Sequence, residues 1–307
     1  MKKSSSAIPE RLRPFLRIGT CSWKYDSWKG LIYDAGKSYR PDDYLGDYAR
    51  RLNSVEVDQW FWSLFPGSIR LPEPRVVRRY AESVPDDFVF TVKAPNALTL
   101  THFYAKKEAG TGEFAGKPNG MFLNIGLLEK FLDRLSPLDK KLGPIMFQFE
   151  YLNRQKMASQ EDFLGRCAAF VEAAPRTLAL AIEPRNPRWL DERYFGFLAD
   201  HGLSHVFLQG YYMPPMEETY KRHARMLRGA VVVRLHGPDR EGMEKATGES
   251  WDRIVAPKDE ELRRVVEMIN DMRGRSLTVY LNVNNHYEGS APLTIARLKE
   301  MGLAEGP

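Results

Sequence analysis

Glu183 and Arg185 stand two residues apart at the end of an apolar run, residues 178–189, LALAIEPRNPRW. In a strand, side chains alternate in direction, so Ala179, Ala181, Glu183 and Arg185 share one face while Leu180 and Ile182 share the other. The first face is a narrow channel of small residues that finishes in a carboxylate and a guanidinium. The carboxylate is suited to proton transfer and the guanidinium to binding phosphate or carboxylate. The same design, apolar at the start and polar at the finish, recurs along the chain. It gives Glu56 and Asp58, then Thr91 and Lys93, Gln148 and Glu150, Gln209, Arg234 and His236, and finally Tyr280, Asn282 and Asn284. The alternate positions, such as Val55, Val57, Phe90, Val92, Phe147, Val233, Leu235, Val279 and Leu281, are apolar and suited to packing under helices.

The elements that would carry these residues alternate regularly. Strands are expected over 17–23, 54–61, 88–94, 144–150, 178–185, 205–211, 230–237 and 277–284, and helices over 42–52, 73–84, 126–135, 160–174, 190–200, 218–227, 259–272 and 292–301. Strands that alternate with crossover helices imply a parallel sheet, and eight such units fit a single closed (β/α)8 TIM-type barrel of class α/β. Acidic Asp42 and Asp43, Pro292 and a weak Ser159 cap mark helix starts. The segment 95–124 has no clear period and carries four glycines; as a loop on the active face it would be a lid or a plain surface excursion. The domain plan is a basic tail over 1–16 followed by one barrel over 17–303.

Ligands of such barrels sit at the C-terminal strand ends. Glu183 and His236 are therefore the candidate proton carriers, because burial can tune either toward neutral pH. Lys93, Arg185 and Arg234 would bind negative charge, and Asp58, Gln148, Tyr280, Asn282 and Asn284 would orient a small polar or phosphorylated ligand. The bland alternative is an internal salt-bridge network in which Glu56, Asp58 and Glu183 neutralise Lys93, Arg185 and Arg234. Cys21 and Cys167 read as small buried hydrophobes, and Trp60, Phe61, Trp62 and Phe65 as an aromatic cluster that either seals the barrel or stacks on a sugar or base.

At these same positions the chain resembles a known family. Gly19–Ser22 with Trp23, Trp28-Lys29-Gly30, Asn53–Val57, Phe90-Thr91-Val92-Lys93-Ala94-Pro95, Leu142-Gly143-Pro144 with Phe147-Gln148, Ile182-Glu183-Pro184-Arg185 with Trp189, Arg234-Leu235-His236-Gly237 and Asn284-Asn285 are similar, in order, to the motifs of the YecE-like family, the domain-of-unknown-function family numbered 72. The resemblance runs from about Arg17 to about Met301. It implies a TIM-type barrel and supplies no substrate, mechanism or catalytic residue. The chain departs from the family where Asp58-Gln59-Trp60-Phe61 continues the second strand, adding a carboxylate, and where Cys21 replaces a common serine.

Composition sets outer bounds. A chain of 307 residues with 43% hydrophobic and 28% charged residues is ample for one large core. Two cysteines make no disulfide framework, and the first residues, MKKSSSAIPERLRPFLR, contain no apolar stretch, so a cytoplasmic protein is expected, with no membrane partner. The net charge of +5 comes from 45 basic and 40 acidic residues spread along the chain, which supports nucleic-acid binding only weakly. No Walker-type, GxSxG, CxxC or HExxH motif occurs. No cofactor is expected, and a single divalent metal at Glu56, Glu183 and His236 is disfavoured by the cations beside them. The expected function is acid/base chemistry on a polar anionic substrate, either hydrolysis of a phosphoester by a phosphoesterase or nuclease-like enzyme or isomerisation of a sugar-like compound. The rival is a noncatalytic ligand-binding or nucleic-acid-associated protein that uses the same mouth for recognition. Oligomeric state is not fixed by the sequence.

Overall fold

Eight short strands pair in parallel: β1 Leu16–Thr20, β2 Ser54–Val57, β3 Val89–Lys93, β4 Leu142–Gln148, β5 Leu180–Glu183, β6 Ser204–Gly210, β7 Ala230–Gly237 and β8 Thr278–Val283. They come from a computed structural model that describes residues 16–105 and 112–303. Neighbours in the sheet run β1-β8-β7-β6-β5-β4-β3-β2. The ends meet where Cys21 bridges Glu56 in parallel register and the Ser22 N–H donates to the Glu56 carbonyl at 3.1 Å. The sheet is thus a closed TIM-type barrel, as the alternation of patterns requires.

The crossovers are helices α1 Tyr44–Tyr48, α2 Pro74–Glu82, α3 Ile125–Leu135, α4 Gln160–Ala173, α5 Glu192–Asp200, α6 Met216–His223, α7 Arg240–Thr247, α8 Asp259–Gly274 and α9 Ala291–Glu300. Ser159 does cap α4, accepting from the Asp162 N–H at 3.1 Å, and Asn124 and Asp191 cap α3 and α5 in the same way. Helix α7 is an element that the sequence pattern does not show, because its surroundings, HGPDREGMEKATGES, look like loop. Its signals are Asp239, which accepts from the Gly242 N–H, and Gly248 in left-handed conformation at the other end. The first helix is one short turn rather than the three expected over 42–52.

Several strands end earlier than the polar pattern suggested. β5 stops at Glu183 because Pro184 has no N–H to continue the ladder, so Arg185 lies just past the strand. Outward-facing residues such as Val55, Phe90, Phe147, Ile182, Val233 and Leu281 pack with the helices in one continuous core. A smaller apolar plug of Met146, Ala181, Val206 and Val232 fills the barrel below the mouth. The segment 95–124 is pinned where it is described: Asn119 Nδ2 donates to the Ala97 and Leu100 carbonyls, and the Leu123 N–H to the Leu98 carbonyl. The lid expectation falls partly on residues 106–111, and the basic tail almost wholly on 1–15, which lie outside the described residues. Among the described residues no helix is long and apolar enough to cross a membrane.

Candidate active site at the barrel mouth

Arg234 leaves β7 pointing inward and crosses the barrel. Its Nε and Nη2 hold both oxygens of Glu56 on β2, at 2.8 and 2.6 Å. Its Nη1 bonds Glu183 on β5 at 2.5 Å and Gln148 on β4 at 3.3 Å. Arg185 closes on the remaining Glu183 oxygen, with Nε at 2.8 Å and Nη2 at 2.6 Å. Both carboxylates are fully buried and Arg234 is 1% exposed. Burial of ions costs several kcal/mol each unless geometry repays it, and here each carboxylate is answered by forked N–H donors.

This pairing fixes protonation. Burial alone would raise the Glu183 pKa, but Arg234, then Arg185 and Lys93, outweigh it and hold the acid at about 2. Glu183 is therefore a permanent anion near neutral pH, a different environment from that of the proton carrier expected from the sequence. His236 is held well below its usual range, first by burial and then by Arg234, Arg185 and Lys93, so its ring is neutral. Asn284 Nδ2 lies 3.4 Å from its Nε2 and Tyr211 Oη 3.3 Å from its Nδ1, which assigns the proton to Nδ1. Asn284 in turn accepts from the His286 N–H at 2.9 Å.

Lys93 and Asp58 stand outside the pairing. Lys93, 9% exposed, ends β3 with its Nζ 4.0 Å from the centre of the Phe61 ring, and among the described residues no oxygen accepts from it. Its pKa is lowered by burial and then by Arg234, against the pull of Glu56, Glu183 and Asp58. Asp58, just past β2, is partly buried and moves the opposite way: burial and then Glu56 raise its pKa, with Lys93 and Arg234 opposing. Arg185 uses Nε and Nη2 on Glu183 while its guanidinium stacks 4.6 Å from the Tyr211 ring.

The structure brings Glu183, Arg185, Arg234, Gln148, Lys93, Asp58, His236 and Asn284 to one end of the barrel. Asn282, paired with Arg234 in the strand register, is fully buried, and its Nδ2 donates to Thr91 Oγ1 at 3.1 Å. Tyr280, two residues earlier in β8, lies deeper, packed on the apolar plug, in place of the mouth position expected for it. Gln209 also needs correction. Leu208, not Gln209, aligns with Arg234, and the Gln209 amide faces outward to Glu261 at 2.7 Å. The aromatic cluster divides, since Trp60 packs on Tyr80, Phe61 floors Lys93 and Trp62 is 60% exposed. Cys21 is buried against Glu56 at 3.5 Å, and burial followed by Glu56 pushes its thiol pKa up, which suits an inert residue. Tyr211 is the participant that sequence reasoning missed; it follows Gly210 at positive φ, with no local motif to mark it.

A cavity of about 740 Å3 opens beside the mouth between the loops that follow β4 and β5, with Tyr151, Arg154, Arg188, Trp189 and Tyr212 on its walls. Among the described residues no group of three or more His, Cys, Asp or Glu is arranged to hold a metal ion.

Residues 17–306 match the family model described as protein of unknown function DUF72. The chain belongs to this family. The UPF0759 protein YecE of Escherichia coli strain K12 is 26% identical over 172 residues, 56% of this chain and 49% of that protein, so the chain matches about half the length of this curated relative. Among solved structures, a DUF72 family protein from Enterococcus faecalis V583 superposes with a TM-score of 0.67 at 18% identity, over 95% of this chain and 97% of that one. Another from Thermotoga maritima MSB8 gives 0.63 at 22% identity, over 94% and 98%. At those identities the likeness shows the fold, and it is the DUF72 barrel.

Proposed function

We propose that the mouth is an acid–base active site for a small, polar, anionic substrate. One observation carries this reading: Glu56, Arg234, Glu183 and Arg185 neutralise one another, while Lys93 and Asp58 remain outside that pairing with their pKa values displaced toward each other. An amine whose charged form is disfavoured and a carboxyl whose ionisation is disfavoured, held in one site, suit the roles of base and acid. Arg185 and Asn284 then recognise the substrate's anionic and hydroxyl groups, and neutral His236 contributes a hydrogen bond rather than charge.

Of the two reactions considered, proton transfer on a sugar-like compound is favoured over phosphoester hydrolysis. Phosphoryl transfer needs several cations on the transferring group, and here Arg234 is wholly committed to carboxylates while Arg185 keeps only the one guanidinium edge that Glu183 does not occupy. The test is enzyme-dependent exchange of carbon-bound hydrogen in D2O, followed by NMR across phosphorylated and carboxylated aldoses and ketoses. The wild type should wash deuterium into at least one of them, and Lys93→Met should slow that exchange by about 10²-fold or more. Exchange that proceeds unchanged in both Lys93→Met and Asp58→Asn would sink the reading.

A further inference from the structure

The amine of Lys93 invites a second question, which rests on the acid–base reading and narrows its substrate. We infer that Lys93 forms a covalent iminium with its substrate, and that the substrate is an aldehyde or ketone bearing a carboxylate or phosphate close to the carbonyl. The placement of the side chain supports this. Lys93 stands at the C-terminal end of β3 with its Nζ against the face of Phe61, and no described oxygen accepts a hydrogen bond from it. Burial first and then Arg234, itself tied to Glu56 and Glu183, disfavour a positive charge at this point, against the pull of the neighbouring carboxylates. A lysine amine becomes a nucleophile under these two conditions, a dry pocket and a cationic neighbour.

The chemistry closes without an external oxidant or reductant. The Nζ lone pair attacks the carbonyl carbon, the carbonyl π pair moves to oxygen, and that oxygen takes a proton from the Asp58 carboxyl. The Asp58 carboxylate so formed takes one proton from the new ammonium and hands it to the hydroxyl, which departs as water while the nitrogen lone pair closes the C=N bond, leaving C=N⁺–H on Lys93 and a carboxylate on Asp58. Water reverses the sequence. The new positive charge lies close to the substrate's own anion, and Arg185 holds that anion through the guanidinium edge that Glu183 does not occupy. The cavity lined by Arg154, Arg188 and Tyr212 takes the rest of a longer substrate.

The test is reductive trapping. The full chain is incubated with pyruvate or glyceraldehyde 3-phosphate as the probe and sodium borohydride, then digested and mapped by mass spectrometry. The peptide carrying Lys93 should gain the mass of the probe less one oxygen atom, saturably and ahead of the surface lysines. Trapping should be about 10-fold or more faster than with acetone or glyceraldehyde, which lack the anion. It should vanish at this site in Lys93→Arg and slow in Asp58→Asn, with circular dichroism confirming that both fold. Label spread evenly over surface lysines in the wild type, a result independent of any variant, overturns the inference. If that occurs while Lys93→Met still abolishes deuterium exchange, the amine is a base and not a nucleophile, and the broader reading stands. Trapping at Lys93 with no exchange activity would retain the iminium and remove the proton-transfer role.

Discussion

Arg234 serves two buried carboxylates from one side chain, so its loss leaves two uncompensated charges in the barrel. Arg234→Met should destabilise the protein by about 3–5 kcal/mol, read from urea unfolding. Arg234→Lys should rescue little of this, because an ammonium is a single point and cannot fork to Glu56 while also reaching Glu183. Adding Glu56→Gln and Glu183→Gln to Arg234→Met should restore much of the loss, since the penalty comes from the orphaned charges. The inward direction of these residues was legible from strand alternation alone: Glu183, Arg185, Arg234 and His236 all face the interior that the period of two assigned them. Which acid would pair with which base was not legible, because the partners lie 51 and 178 positions apart in the chain. That pairing holds Glu183 as an anion near neutral pH and leaves Lys93 and Asp58 outside it.

At the scale of elements, barrel closure depends on a close approach of β1 to β2. A Cβ placed on Gly19 would stand 2.2 Å from the Ser54 carbonyl oxygen, a backbone atom that cannot swing away. Gly19→Ala should therefore push the seam apart and cost about 1–3 kcal/mol or more, seen as a lower midpoint in thermal unfolding. An unchanged midpoint would mean that the seam is looser than drawn. The eight strands were visible as apolar runs with polar ends, and most helices as periodic segments with caps. Helix α7 was hidden among glycine and proline, and Gln209 was misplaced because both faces of β6 are apolar before it: Val206 and Leu208 face inward, so Gln209 shares the outward parity of Phe207.

For the whole molecule, buried ionisation sets how stability responds to acid. His205 sits outside the barrel wall with its Nδ1 2.9 Å from Tyr194 Oη, and burial pushes its pKa from 6.5 down to about 3. The unfolded chain takes up that proton first, so the stability due to a neutral His205 is complete above pH 6.5 and is lost as pH falls toward 3. Glu183 acts in the same direction at lower pH: its contribution is complete above 4.5 and is lost as pH falls toward 2. Unfolding free energy measured against pH should fall steadily on acidification. His205→Gln, which keeps a polar partner for Tyr194 but has no titrating ring, should flatten the curve between 6.5 and 3; an unchanged slope would place the titration elsewhere.

By itself the sequence determined the architecture and the end of the barrel where polar groups gather. Both follow from local periodicity, in which a period of two selects a face and the drift from apolar to polar selects an end. Only the tertiary structure decided depth and partnership: that Tyr280 packs on the plug, that Arg234 spans the barrel to Glu56, and that Lys93 rests on Phe61 with no acceptor among the described residues. Those outcomes depend on how far each strand is staggered against its neighbours and on charges brought together across the lumen, and neither is written in the spacing of residues along a single strand.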